Sequence, residues 1–157
     1  MIFVTSGSML PFDRLFKLVD MAVENGQLSG EIFAQIGEGS YLPKNYRYER
    51  FVEKGEFDRL VDEASLVIGH AGIGVIMQCL EAKTPLLVLP RLAELGEHVN
   101  DHQVSTAKKF EELGHILTFD EHNLSEKLSE LEGFVPKERR PNIEGVSARV
   151  AQFLATI

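Results

Sequence analysis

The residues best suited to chemistry stand together at Gly69-His70-Ala71-Gly72-Ile73-Gly74, directly after the apolar run Leu66-Val67-Ile68 and directly before a helical pattern. A strand that runs through glycines into a helix leaves four amide N–H groups unbonded at the helix start, at the positive end of its dipole. Glycine lets an anion approach that backbone closely, so the pattern is a seat for a phosphate group. His70 adds a side-chain donor beside it. Two further polar segments can share the ligand. Thr5-Ser6-Gly7-Ser8 follows the first apolar run, and residues 91–103, which include Arg91, His98, Asp101, His102 and Gln103, follow the run Leu86-Leu87-Val88-Leu89. A ligand with phosphates in its middle and polar groups at both ends would engage all three.

Each of these features has a second reading on the residues alone. Gly72 and Gly74 also permit tight packing of a helix on a sheet. Gly7 and Ser8 suit an ordinary strand-to-helix turn, and a single histidine such as His70 is commonly satisfied by backbone. Gln78 lies one helical turn beyond Gly74 on the same face, where it reaches either a ligand over the helix start or solvent. His98 and His102 have the i, i+4 spacing of a metal-binding helix, with Asp101 between them. No third strong ligand stands nearby in sequence, so no metal site is expected. Cys79 is expected to pack as a small apolar residue.

The elements that would position these residues alternate between short β-branched runs and helical patterns, which is the signature of a parallel sheet with crossover helices. Six strands are expected, at residues 2–5, 31–36, 47–52, 66–68, 86–89 and 116–119. Pro11 and Asp13 open a helix with Phe12, Leu15, Phe16, Val19 and Ala22 at helical spacing. Further helices are expected at 56–64, 72–82, 100–113, 124–131 and 142–157, with Gly114 ending the fourth and a polar loop containing Pro136 and Pro141 before the last. In such a doubly wound sheet, ligands bind outside the carboxyl ends of the strands, where the three polar segments converge.

With 157 residues, the chain has the size of one domain able to bury a core. A hydrophobic share of 44% with 25% charged residues is that of a soluble globular protein, and no apolar run approaches a membrane span. The start, Met1-Ile2-Phe3-Val4-Thr5, lacks a basic leader region and reads as a strand, so no signal peptide is expected. A single cysteine excludes an internal disulfide framework and suits a reducing cytoplasm. The net charge of −8 argues against a general nucleic-acid binder, which needs a basic surface.

Taken together, Thr5-Ser6-Gly7-Ser8, Gly69-His70-Ala71-Gly72-Ile73-Gly74, Pro85-Leu86-Leu87-Val88-Leu89-Pro90-Arg91 and Gly96-Glu97-His98-Val99-Asn100-Asp101-His102-Gln103 resemble the glycosyltransferase family twenty-eight C-terminal domain. Within that superfamily the chain is similar to the small donor-binding subunits of split enzymes, those of N-glycan assembly and of bacterial exopolysaccharide and capsule synthesis. The resemblance implies a Rossmann-like doubly wound parallel sheet, the C-terminal half of a GT-B fold. Residues 1–157 would form one nucleotide-sugar-binding domain, with a helix at 142–157 that docks on the sheet or on a partner.

The resemblance also implies roles. Gly7 and Ser8 would line a diphosphate, held by His70 and the backbone of Ala71, Gly72, Ile73 and Gly74. Phe51 and Val52, with Phe57 nearby, would lie against uracil. Gln78 stands where the family usually has a glutamate bonded to the ribose hydroxyls. Asp101, His102 and Gln103 open a helix that usually contacts the donor sugar, and Arg91 and His98 are phosphate-side or loop contacts. Two positions depart from the pattern. Glutamine at 78 loses a charge-assisted bond, and Val75 replaces a common serine or threonine, so one hydroxyl donor is missing.

The function implied is a UDP-sugar-binding subunit of a metal-independent glycosyltransferase that transfers a hexose or N-acetylhexosamine to a lipid-linked saccharide. No Asp-x-Asp pair is present, and helix-terminus amides can stabilise the departing diphosphate. The UDP-sugar is substrate, and no cofactor is implied. A membrane-anchored, acceptor-binding partner subunit would hold the chain at the inner face of the membrane, and the general base is expected on that partner. The alternative is a non-catalytic accessory subunit that activates a partner glycosyltransferase. A sugar-nucleotide epimerase uses a related half-domain but needs catalytic carboxylates from further sequence.

Overall fold

The computed structural model describes residues 1–140 and 143–156, with backbone alone at 143, 144 and 146. In chain order the elements are β1 (Ile2–Thr5), α1 (Asp13–Glu24), β2 (Ile32–Gln35), β3 (Arg47–Glu49), α2 (Lys54–Glu63), β4 (Leu66–His70), α3 (Ile73–Ala82), β5 (Leu86–Leu89), a 3-10 turn at Ala93–Leu95, α4 (His102–Glu112), β6 (Leu117–Thr118), α5 (Leu124–Leu131) and α6 (Ile143–Leu154). All strand pairs are parallel, in the order β3-β2-β1-β4-β5-β6. Order reverses between β1 and β4, so the loops after these two strands diverge to opposite faces and leave a crevice between them.

Period-two alternation along the central strands builds two cores. Val4, Ile68 and Leu87 face α1, where they meet Phe12, Leu15, Phe16 and Val19. Phe3, Val67 and Val88 face the other layer, among Leu60, Val61, Val75, Ile76 and Cys79. Strands buried on both faces read as continuous apolar runs, which is what made β4 and β5 legible. Cys79 is buried as expected, and burial pushes its thiol up to about 12.

The boundaries differ from expectation where a side chain is diverted. The third strand ends at Glu49 rather than at 52, because the Val52 N–H leaves the ladder and donates to the Gln35 side chain (3.0 Å). The fourth helix begins at His102 rather than at 100, capped by Asp101. The last strand is reduced to Leu117–Thr118, and α2 begins two residues earlier than the expected 56.

Of the apolar stripe expected on the final helix, the structure describes three side chains. Val150, Phe153 and Leu154 are exposed. Asn142, Ile157 and the side chains of Ile143 and Val146 lie outside the described residues, as does Pro141.

No helix connects β2 to β3, and a buried carboxylate organises the irregular link instead. Asp20, 3% exposed, accepts from the Tyr41 hydroxyl (2.6 Å), the Lys44 N–H (2.9 Å), and both the Asn45 N–H and its Nδ2 (2.9 Å each). Burial by itself would raise its pKa, but these donors together hold the carboxyl below its ordinary value. Asp20→Asn turns one acceptor oxygen into a donor facing donors. It is expected to cost about 1–2 kcal/mol in urea denaturation, with the slope unchanged.

Candidate donor site

The crevice predicted by strand order is a cleft of about 640 Å³. Its floor is the turn from β4 into α3. Gly72 caps α3 with extended backbone, and Gly74 and Val75 of the first turn line the cleft. The imidazole of His70 lies between two glycines. A Cβ on Gly72 would come within 2.1 Å of Nε2, and a Cβ on Gly7 within 2.8 Å of Cε1. Gly7 also has φ +71, a left-handed conformation that side chains disfavour. Both glycines therefore make room for the ring, a requirement distinct from close approach of a ligand. No atom lies within 4 Å of a Cβ built on Gly74.

His70 Nδ1 and Arg91 Nε are buried and accept or donate no side-chain hydrogen bond in the cleft wall. Buried groups of this kind are normally satisfied, and both residues line the cleft at the helix start. Burial, and then the neighbouring positive charge of Arg91, push the His70 pKa down to about 4, so the ring is neutral at pH 7. Burial also lowers Arg91, to about 10, which leaves it charged. Its Nη2 donates to the carbonyls of Ser6 (3.2 Å) and Leu10, and its guanidinium stacks 4.7 Å from the Phe12 ring. Arg91 thus holds the loop after β1 in place and brings a positive charge to the cleft wall.

The expected site residues divide. Gly7, Ser8, Phe51, Val52, His70, Gly74, Gln78, Arg91, His98 and Gln103 line the cleft. Ala71, Gly72 and Ile73 form the turn beneath it rather than its lining, and the Ala71 N–H is already used, donating to Gln103 Oε1 (3.2 Å). The same oxygen accepts from the Arg91 N–H (3.1 Å), so Gln103 ties two loops together. Asp101 and His102 stand apart from this lining. Both are exposed at the start of α4, where Asp101 Oδ1 accepts from the Ala93 N–H (2.9 Å), and neither lines the cleft. Successive helical residues point about 100° apart, so a phase that turns Gln103 inward turns its predecessors out.

Sequence reasoning missed Gln35, Asp58, Lys54, Met9 and Leu10, all of which line the cleft. Asp58 Oδ1 accepts from Gln78 Nε2 (2.7 Å), and Asp58 Oδ2 pairs with Lys54 (2.8 Å). That engages one of the two Gln78 amide hydrogens and turns its oxygen away from Asp58. Val75 lines the cleft as a buried apolar wall. The segment after β5 is braced from α1, because Arg14 donates to both Glu97 oxygens and to the Pro90 carbonyl, at 2.8 Å each. A second cleft, about 400 Å³, lies beyond β5, but Arg14 and Lys127 on its walls are paired with Glu97 and Glu130.

Gly74→Ala separates packing from ligand approach. With open space for the methyl group and a better helix former in the first turn, stability is expected to hold or rise by about 0.5 kcal/mol. If an anion approaches this turn as the sequence resemblance implies, its affinity is expected to fall about tenfold, by titration calorimetry, because the methyl group occupies that path.

Residues 1–151 match the model of the glycosyltransferase family 28 C-terminal domain. The chain belongs to this family. A human relative, UDP-N-acetylglucosamine transferase subunit ALG13 [Homo sapiens], is 30% identical over 125 residues, which make up 73% of this chain and 10% of that protein. The UDP-N-acetylglucosamine–N-acetylmuramyl-(pentapeptide) pyrophosphoryl-undecaprenol N-acetylglucosamine transferase of Prochlorococcus marinus (strain MIT 9215) is 29% identical over 101 residues, 60% of this chain and 26% of that protein. A solution structure of ALG13 shares the fold, with a TM-score of 0.58 at 22% identity, covering 92% of this chain and 93% of that one. The chain therefore spans a minor part of the length of both sequence relatives. Its sheet is the Rossmann-like C-terminal half of a GT-B fold.

Proposed function

We propose that this family member binds UDP-N-acetylglucosamine, or a closely similar UDP-sugar, as the donor half of a two-part glycosyltransferase. The observation that carries the reading is the cleft itself. At one end the α3 N-terminus lies beside His70 and the Arg91 charge, a combination suited to an anion, and at the other Phe51, Val52 and Phe57 offer an apolar wall for a base. The names of both sequence relatives support the donor sugar, and that of the bacterial one supports a lipid-linked acceptor.

In this reading the α3 amides, a His70 N–H and the Arg91 charge stabilise the departing diphosphate without a metal, as the acceptor hydroxyl attacks the anomeric carbon. Gln78 Oε1 accepts from a ribose hydroxyl, with its amide held by Asp58. The base that takes the acceptor proton belongs to a membrane-anchored partner. Among the described residues no helix is long and apolar enough to cross a membrane. The exposed Val150, Phe153 and Leu154 of α6, and Met9, Leu95 and Val99 near the cleft, supply apolar surface for such a partner. It would hold the chain at the cytoplasmic face of the membrane, for exopolysaccharide or capsule assembly.

The test is thermal unfolding with UDP and UDP-N-acetylglucosamine at millimolar concentration. At about ten times Kd a ligand adds about 1.4 kcal/mol, a rise of about 4 °C for a chain of this size. Absence of any shift would remove the donor-site reading and favour an accessory subunit with a degraded site. The Gln78 side chain tied to Asp58 and the apolar Val75 wall are what favour that second reading.

A further inference from the structure

We propose that Gln35 is a positioning residue that fixes the two ends of the cleft relative to one another. Gln35 is the last residue of β2, which lies between β1 and β3, so a side chain at its tip reaches the loops leaving both neighbours. Its Nε2 donates to the Gly7 carbonyl (3.3 Å) and its Oε1 accepts from the Val52 N–H (3.0 Å). One amide thus joins the phosphate-side loop to the segment that carries Phe51 and Val52. The residue is 4% exposed and lines the cleft between the groups it joins.

A side chain that both donates and accepts is required there, because it meets a carbonyl on one side and an N–H on the other. The neighbouring Gln103 makes the corresponding tie between the Ala71 and Arg91 N–H groups. Gln35 touches no reacting atom. Its effect is to hold the separation between the anion seat and the apolar wall, so that a ligand spanning both meets a preset site and orders neither loop on binding.

The inference rests on the donor-site reading and makes a distinct demand. A ligand that spans both ends feels the loss of the tie, whereas one confined to the anion seat does not. The experiment is calorimetric titration of the native protein, Gln35→Leu and Gln35→Glu with UDP and with inorganic pyrophosphate, at about pH 5 and about pH 8, with thermal melts alongside. Gln35→Leu is expected to weaken UDP about tenfold and pyrophosphate by no more than about threefold.

Gln35→Glu carries the second readout. Burial raises a carboxyl pKa, and the protonated acid both donates and accepts as the amide does, while the ionised form loses the donor and repels the Gly7 carbonyl. Its UDP affinity relative to native is expected near unity at about pH 5 and about tenfold lower at about pH 8. This ratio decides the matter if Gln35→Leu fails to fold. Equal loss of UDP and pyrophosphate, or variants matching native at both pH values, would overturn the positioning role alone. If the native protein takes up no UDP, the donor-site reading fails and this inference falls with it.

Discussion

Gly72→Asp is expected to lower UDP affinity about 100-fold or more, equivalent to about 2.7 kcal/mol, measured by titration calorimetry. Two effects act together. A Cβ at 72 would sit 2.1 Å from His70 Nε2 and 2.8 Å from Cδ2, so the imidazole must move from its place beside the turn. The new carboxylate would also accept the α3 amide hydrogens itself, at the positive helix end, and so occupy the seat that a diphosphate needs. Folding is affected less. Aspartate at the cap position Gly72 offsets part of the steric strain, by a few tenths of a kcal/mol over glycine. A variant that melts within a few degrees of native yet takes up no UDP is the expected result, and retained affinity would show that the anion does not lie on this turn.

The second large effect is on pH. His70 titrates near 6.5 when unfolded, and burial followed by the Arg91 charge takes it to about 4 in the folded chain. The folded state therefore binds fewer protons between those values. Its contribution to stability is complete above about pH 6.5 and is lost as pH falls towards 4, at about 1.4 kcal/mol per pH unit and about 3 kcal/mol in all. A bound diphosphate reverses the electrostatics, because its charge favours the imidazolium. Binding then takes up a proton, and affinity for UDP-N-acetylglucosamine, whose esterified diphosphate does not titrate here, is expected to rise as pH falls from 7 to about 5, by up to about tenfold per unit. Arg91 and His98 are the other charged or titratable groups that act on His70. His70→Gln is expected to flatten both profiles, and a native affinity that stays level across this range would place the anion away from His70.

The legible parts of this chain were those written in apolar periodicity and glycine. The central strands are buried on both faces and so form unbroken apolar runs, and the turn from Ile68 to Gly74 carries its strand-to-helix geometry in its residue types. The phase of α4 was not legible. Val104 is exposed, Ala107 is buried and Phe110 is partly buried, a stripe too thin to show which of Asp101, His102 and Gln103 turns inward. Gln35 was missed for a different reason. At the end of a four-residue strand it reads as the polar stop of the run, and only the order β3-β2-β1 shows that its side chain has a loop on either side. The Asp58 contact to Gln78 joins two helices 20 residues apart, a pairing with no local signature. The apolar spacing of α6 was visible, but the same stripe serves a sheet or a partner equally, so spacing alone named no docking surface.

The most direct test of a donor site at the β1 and β4 loops is a backbone amide NMR titration of the chain with UDP. Saturable shifts are expected at Gly7, Ser8, Gly72, Ile73 and Gly74, with Val52 following at the apolar end. Shifts confined to the cleft beyond β5, around Lys108 and Asn123, or no saturable shift at millimolar UDP, would contradict it.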